Sequence, residues 1–522
     1  MEIGWFVVIA TLALHGVVLK LYVDQKYSLA LYWIVLGGLL LRLYVASDPI
    51  LHPWDERFHA LVAKNMIDFP LKPMLYAEPV LPYNYQHWNE SHVWLHKPPL
   101  PLWCIALSLK VFGINTFSVR LPSLIFGTFA LFLTFYIGRF VANTKVGLLA
   151  AGLHSINGLV LEIGSGRITT DHVDTAFAFF IEFGVFFSIL YVQKRTYRNL
   201  LGVGISLGAA LLCKWLVALL IVPLFVLVQI ATSLPHPRQR RGELRASFLR
   251  QASYLLYGSP STLGRVGVGL LLIALSLFLP WQWFIFKHYP LEAAWEAQYN
   301  VRHFWEVIEQ HDGSWWYHLD KARIVWNELI YVAFLWYAWQ TWQTKNYRHV
   351  VVLCWIVVPY VFFSMAQTKM QSYLLFTAPA IFILLASFCL FLLEKKQKTT
   401  FFYQKTMYSI LFVAIIVLAY RYSLERIKPW DNRVALWETK NNILRIGAAL
   451  PEKSVLFNYP NSLELMFYFD QKIVYEPLPS DATIQDLQQK GYKVYLYDHN
   501  LPVAYRAKYQ DNFNGLNVFF IQ

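Results

Sequence analysis

Long apolar runs recur along most of the chain, and they constrain its fold more than any other feature. They lie near residues 3–22, 28–46, 118–140, 146–163, 175–193, 199–213, 215–232, 266–285, 322–340, 350–366, 372–393 and 403–422. A helix needs about 20 apolar residues to cross the hydrocarbon core of a bilayer. The pattern therefore predicts an α-helical polytopic membrane protein with about twelve spans. PPLPLWCIALSLKVFG, residues 98–113, reads as a thirteenth span or as a helix lying at the interface. The N-terminal run has no basic leader and no clear small-residue cleavage site, so it reads as a retained span rather than a signal peptide.

Composition agrees. Of 522 residues, 57% are hydrophobic and 15% are charged, against roughly 25% charged in soluble domains. The net charge of +13 does not call for nucleic acid, because cytoplasmic loops of membrane proteins concentrate Lys and Arg. The basic segments GRFVANTK, QKRTYR, PHPRQRRGELRASFLRQ, TKNYRH and EKKQK can all be placed on one side. Alternation then puts 47–117, 164–174, Lys214, 286–321, 367–371 and the C-terminus on the other side, with the 98–113 helix interfacial. Cys104, Cys213, Cys354 and Cys389 lie in apolar stretches without a CxxC, and read as small core residues.

Near residue 430 the character changes. SVLFN, KIVYE, YKVYLYDH and LNVFFIQ look like strands, with NNILRIGAAL and ATIQDLQQKG as helices between them. The expected organisation is a membrane domain over 1–423 and a small extracytoplasmic α/β domain over 424–522, supporting rather than catalytic.

The non-basic polar signal collects in the loops opposite the basic turns. HPWDERFHALVAKN, at 52–65, places Asp55 and Glu56 where a span has just ended. His96 and Lys97 follow in HKPPLPLW, Arg120 in RLPS, Asp171 in GRITTDHVD, and Lys214 in LLCKWLVALL. A long loop carries Arg302, His303 and His311, and AQTKMQSYLLFTAP carries Lys369 and Tyr373. Each has a bland reading. Carboxylates suit a helix N-terminus, Lys97 can snorkel, Asp171 can cap the next helix, and Lys214 can mark a hairpin. Ionisable groups at membrane depth are nonetheless functional candidates.

The motifs in this order, D-E, H-K-P-P-L, R-L-P-S, T-T-D and a hairpin Lys, resemble the GT-C fold glycosyltransferases. The resemblance covers roughly residues 28–393 and points to the polyprenyl-phosphate-sugar branch. That branch includes the lipid A aminoarabinose transferase and relatives of the protein O-mannosyltransferases. It implies an integral-membrane enzyme moving a sugar from a polyprenyl-phosphate donor to a lipid, glycan or protein acceptor. The reaction would occur on the outer, periplasmic face of a bacterial plasma membrane, with inversion at the anomeric carbon.

By the same resemblance, Asp55, Glu56 and Asp171 are the expected catalytic carboxylates. Lys97, then Arg302, Lys214 and Lys369, are the expected donor-phosphate cations. His96, Arg120 and Tyr373 are expected substrate-binding positions. A divalent metal stays open, with His96, His303 and His311 as candidate ligands. The lipid A branch resembles a zinc-using site with Glu just before the motif lysine, where this chain has His96. The alternative is a transporter or flippase of lipid-linked substrates. No sequence repeat supports it, and the charges gather in loops rather than mid-span.

Overall fold

A computed structural model describes residues 3–88, 90–168, 172–233, 260–510 and 516–522. Among the described residues, nine helical stretches are long and apolar enough to cross a membrane, or ten if the bent pair Thr144–Ile156 and Gly158–Gly164 is one span. The stretch Gln371–Lys398 is 89% buried and forms the centre of the bundle, whereas Ile3–Val23 and Phe402–Ile427 are each 11% buried and turn their apolar faces outward.

Side-chain caps start several of these helices. The carbonyl oxygens of Asn115, Asn143 and Asn157 accept from the backbone N–H groups of Ser118, Val146 and Val160 at 2.8, 3.0 and 3.1 Å. Each satisfies a donor that the helix cannot. Close packing uses small residues, as interhelical contacts in membranes do. A Cβ on Gly138 would lie 2.8 Å from the Gly147 Cα, so these helices meet backbone to backbone. On the Tyr197–Lys214 helix, a Cβ on Gly204 would lie 2.7 Å from Ile273, and one on Gly208 would lie 2.8 Å from Leu277.

The apolar stretch Tyr197–Ala231 counts as one candidate span by length and composition, but it breaks at Trp215, φ +52°, and folds back on itself. Lys214 pairs with Asp174 near the start of the His172–Gln193 helix. Beyond the turn Trp215–Leu220, a Cβ on Gly184 would meet Ile221, and Phe225 packs 5.8 Å from Tyr191. Contacts that advance along both helices together mean that Ile221–Ser233 runs parallel to His172–Gln193. The sequence expectation of a hairpin with Lys214 at its tip describes this path.

One expected span is corrected. The run at 322–340 is split between the helices Tyr317–Val325 and Ile330–Thr344. Asn327 causes the break: its Oδ1 accepts from the Leu329 N–H at 3.0 Å and its Nδ2 donates to the Ile415 carbonyl at 2.9 Å. Such local side-chain bonds compete with the helix ladder. The Pro99–Phe112 helix has 14 residues, too few to cross, as its interfacial reading expects.

At one end of the bundle sits a parallel four-stranded sheet in the order β2-β1-β3-β4. The strands are β1 (Ser454–Phe457), β2 (Ile473–Val474), β3 (Lys493–Tyr497) and β4 (Val518–Ile521). All four residues of β1 are buried, as a central parallel strand covered on both faces should be. The helices Ser462–Tyr468, Asp481–Gln489 and Val503–Gln510 connect them, and Val434–Ala449 leads into β1. Ser462–Tyr468 rests on the Asp55–Asn65 helix. The described basic turns at 138–145 and 344–349 lie at the other end, where Arg348 donates to the Phe140 carbonyl at 2.9 Å, and the basic segment 235–251 lies outside the described residues.

Candidate active site

The site is built on the segment that leaves the Tyr27–Ala46 span. Trp54 has φ +71°, a left-handed conformation costly for a bulky side chain. It turns the chain into the Asp55–Asn65 helix, whose first turn carries both acids. Successive residues of a helix point about 100° apart, so Asp55 and Glu56 face different surroundings.

Glu56 faces inward and is fully buried. Arg120 grips it from Nε at 2.7 Å and Nη2 at 2.9 Å, and the His52 N–H donates at 2.6 Å. His172 Nε2 lies 3.3 Å from it. Burial alone would raise this carboxyl, but the Arg120 charge and the His172 and Arg120 hydrogen bonds hold it well below the usual range. The remaining Arg120 bonds go to the carbonyls of Ala46, Asp48 and Ile50 at 2.9, 2.6 and 2.6 Å. Gly166 has φ +73°, and a Cβ there would lie 2.5 Å from the Glu56 Cδ, so glycine is required on two counts. Beside this clamp, Asp48 binds Arg167 at 2.7 and 3.0 Å and Arg433 at 3.0 Å.

Asp55 faces a partly open space. Its carboxylate lies 3.8 Å from the Lys97 ammonium, with the two side chains 17% and 26% exposed. Lys97 ends the loop, and Pro99 occupies the first position of the next helix, where its missing N–H costs nothing. His96 stacks on Trp88, ring centroids 5.1 Å apart, and its Nδ1 lies 3.3 Å from Glu296. Trp88 and Tyr299 both donate to Glu309, at 2.7 and 3.0 Å. Tyr299 also touches His96 and His303. Burial, then the nearby Lys97 and His96 charges, pull the His303 imidazole down to about 4. On the other side, Lys214 pairs with Asp174 and sits 5.0 Å above the Tyr373 ring. Tyr373 lies within electrostatic reach of Asp174, Asp55 and Glu309.

The structure thus gathers Asp55, Lys97, His96, His303, Lys214 and Tyr373 at the sheet end of the bundle. Asp171 lies outside the described residues. Four expectations are redirected. Glu56 is expected as a catalytic carboxylate but is fully buried, its oxygens engaged by Arg120, the His52 N–H and His172. Arg120 is expected to touch substrate but is wholly buried, its N–H groups spent on Glu56 and the 46–50 carbonyls. Lys369 is buried with its ammonium on the carbonyls of Ser364 and Ala366, where it caps the end of the Tyr347–Met365 helix. Arg302 is 42% exposed and paired with Glu306 at 2.8 Å.

Among the described residues, no group of three or more His, Cys, Asp and Glu side chains could hold a metal ion. His96 is engaged by Glu296, and His303 Nδ1 by the Tyr299 carbonyl at 2.9 Å. Among the described residues the donor set therefore does not form a metal site.

Sequence reasoning missed Glu296, Tyr299 and Glu309, and assigned Trp88 no role. A signal was present. Glu296, Tyr299 and His303 stand at i, i+3 and i+7 of the Pro290–Trp305 helix and so share one face. Arg302 falls on another.

Residues 96–249 match the family described as dolichyl-phosphate-mannose-protein mannosyltransferase. Two undecaprenyl phosphate-α-4-amino-4-deoxy-L-arabinose arabinosyl transferases of Pseudomonas fluorescens Pf-5 are similar. One is 24% identical over 299 residues, covering 54% of this chain and 45% of the relative. The other is 26% identical over 302 residues, covering 55% and 49%. The chain spans about half the length of the curated relatives it matches. Among solved structures, ArnT from Cupriavidus metallidurans bound to undecaprenyl phosphate aligns with a TM-score of 0.56 at 14% identity, over 87% of each chain. Archaeal oligosaccharyltransferase AglB from Archaeoglobus fulgidus, in complex with an inhibitory peptide and a dolichol-phosphate, aligns at 0.53 and 13% identity, over 85% of this chain and 64% of that one. At such identities the likeness speaks for architecture, and the architecture is the GT-C fold of a polytopic membrane protein.

Proposed function

We propose that the chain is an integral-membrane glycosyltransferase that moves a sugar from a polyprenyl-phosphate donor to a lipid, glycan or protein acceptor. The observation that carries this reading is the Asp55–Lys97 pair, 3.8 Å apart and open on one side. A base and a phosphate-binding cation are what direct displacement at an anomeric carbon requires. The acceptor oxygen forms the new bond to that carbon as the bond to the phosphate oxygen breaks. The phosphate leaves with the electron pair and Lys97 stabilises its charge. With a hydroxyl acceptor, Asp55 takes the proton. With an acceptor that is already ionised, Asp55 positions it. One displacement inverts the anomeric centre. Lys214, beside Tyr373, is the second cation, and Asp171 is assigned to the reaction by its match to the family motif alone. Glu56 acts indirectly, by fixing the turn that carries Asp55.

The rings of Trp88, Tyr299 and His96 offer a face on which a sugar can stack. The similarity to transferases named for undecaprenyl phosphate-linked aminoarabinose supports a polyprenyl-phosphate donor. With the basic turns placed in the cytoplasm, the site lies on the outer, periplasmic face of a bacterial plasma membrane.

The test is release of free polyprenyl phosphate from a panel of lipid-phosphate sugars by the full chain in proteoliposomes. Wild type should turn over one donor, and Asp55→Asn and Lys97→Ala should not at equal expression. Turnover that survives both substitutions rejects this site. Donor movement across the vesicle with no bond cleavage rejects the transferase itself.

A further inference from the structure

The Asp55–Asn65 helix is held from two sides. Arg120 holds Glu56 from the membrane, and the C-terminal sheet unit holds the turn just before Asp55. Glu464, on the Ser462–Tyr468 helix of that unit, is fully buried. Its Oε1 accepts from the Leu51 N–H at 2.8 Å, and its Oε2 lies 3.7 Å from the Arg57 guanidinium. Arg57 in turn donates to the carbonyls of Leu51 at 3.2 Å and of Pro460 at 3.4 Å. Leu51 and Arg57 bracket Trp54, whose left-handed conformation is held rather than preferred. A carboxylate reaching in from the C-terminal sheet region, which shares one core with the Asp55–Asn65 helix, meets both ends of the strained turn that aims Asp55, and this exceeds what packing alone needs. Docking has its own contacts nearby: Lys64 is buried, donates to the Met466 carbonyl at 2.7 Å and pairs with Asp470 at 2.5 Å.

We propose that Glu464 is a positioning residue for Asp55, so that the C-terminal unit completes the active site by setting the 51–57 turn. This rests on the reading of Asp55 as the acceptor-side carboxylate. The ionised form is the one that attracts Arg57, so positioning should weaken when Glu464 is protonated. Burial, opposed by the Leu51 N–H and then Arg57, leaves this carboxyl raised to about 7. The charged and titratable groups that face it are Arg57 and Glu56, Arg120, Lys440 from the Val434–Ala449 helix, Tyr459 and Tyr468.

The experiment compares full-length wild type, Glu464→Gln, Glu464→Asp and Lys64→Met in nanodiscs. Glu464→Gln should lower kcat about tenfold with donor KM within about twofold, the size expected for one charged hydrogen-bonding group. It should also remove the limb of the kcat–pH profile near neutrality, and Glu464→Asp should restore part of both. Lys64→Met removes a docking contact without touching the turn, and should leave the pH profile unchanged. A Glu464→Gln enzyme with the wild-type pH profile overturns the proposal, whether or not kcat falls. Hydrogen exchange of peptide 51–57 reads the same idea without turnover. Faster exchange in Glu464→Gln, with Asp55→Asn unchanged, upholds positioning even where no donor is turned over and the transferase reading fails. Unchanged exchange rejects it.

Discussion

Asp55 and Glu56 are neighbours in the chain and opposites in the structure. Glu56 lies in a dry clamp, fully buried and gripped by Arg120 at 2.7 and 2.9 Å. Asp55 faces a partly open space, 3.8 Å from Lys97. The same side-chain chemistry, turned through one helical step, builds scaffold in one case and leaves a reactive pair in the other. The difference is hydrogen-bond saturation. A carboxylate whose lone pairs are all engaged has nothing to offer a substrate, and a looser pair with water access does.

Breaking the clamp should have the largest effect. Arg120→Met leaves a buried carboxylate unpaired, at a cost of about 3–5 kcal/mol. The expected outcome is loss of most folded protein, read by size exclusion and thermal melting in detergent. Replacing both partners, Arg120→Met with Glu56→Leu, should recover only part of the loss, because the buried charge is gone but the Ala46, Asp48 and Ile50 carbonyls still lack their donor. A single variant that melts with wild type would mean that the clamp is not structural.

Breaking the open pair should do the reverse. Asp55→Asn should lower kcat by about 10²- to 10⁴-fold, the range for a lost general base. Thermal melting should stay close to wild type, since partly exposed pairs contribute about 0–1 kcal/mol. A large fall in melting temperature would move Asp55 into the scaffold and dissolve the contrast.

The fold was legible in the sequence because its signals are long. An apolar run of 20 residues has few readings, and the four strands of the C-terminal unit carry their β-branched and aromatic residues in short clusters. What failed was local. Asn327 interrupts an apolar run through one side-chain bond to the Leu329 N–H, which no hydropathy window detects. The site was half legible. Lys97 and Asp55 stand in compact motifs, whereas Glu296 and Glu309 reach the site only through tertiary packing of the loop that carries them. Arg120 was visible as a residue but not as a partner, because Glu56 lies 64 positions away. A motif shows that a residue matters, while burial decides whether it touches substrate.

Protonation separates the two sides of the helix more finely. Burial would raise the Asp48 and Glu56 carboxyls, but their Arg and His partners hold both below the ordinary 3.8 and 4.5. Their contribution to stability is present above those ordinary values and lost as the pH falls through the lower folded-state values. Glu464 has the opposite sign. Burial raises it from 4.5 to about 7, so its contribution is full below 4.5 and is lost as the pH rises to about 7. Between pH 5 and 8, thermal melting of wild type should therefore decline by a component that Glu464→Gln removes. A Glu464→Gln variant with the wild-type slope over that interval would show that the folded-state carboxyl titrates normally.

The smallest effect belongs to Arg302. It stands on the same helix as Glu296 and Tyr299 but off their shared face, half exposed and paired with Glu306 four residues on. An exposed pair of this kind is screened by water and salt, so Arg302→Ala should change donor KM and kcat by less than about twofold. Lys97→Ala, by contrast, removes the cation beside Asp55. The lost stabilisation of the leaving phosphate should lower kcat by about 10²- to 10³-fold. If Arg302→Ala instead raises donor KM tenfold or more while Lys97→Ala does not, the phosphate lies over the exposed face of the Pro290–Trp305 helix. Asp55 would then be paired with a lysine that serves only to hold it.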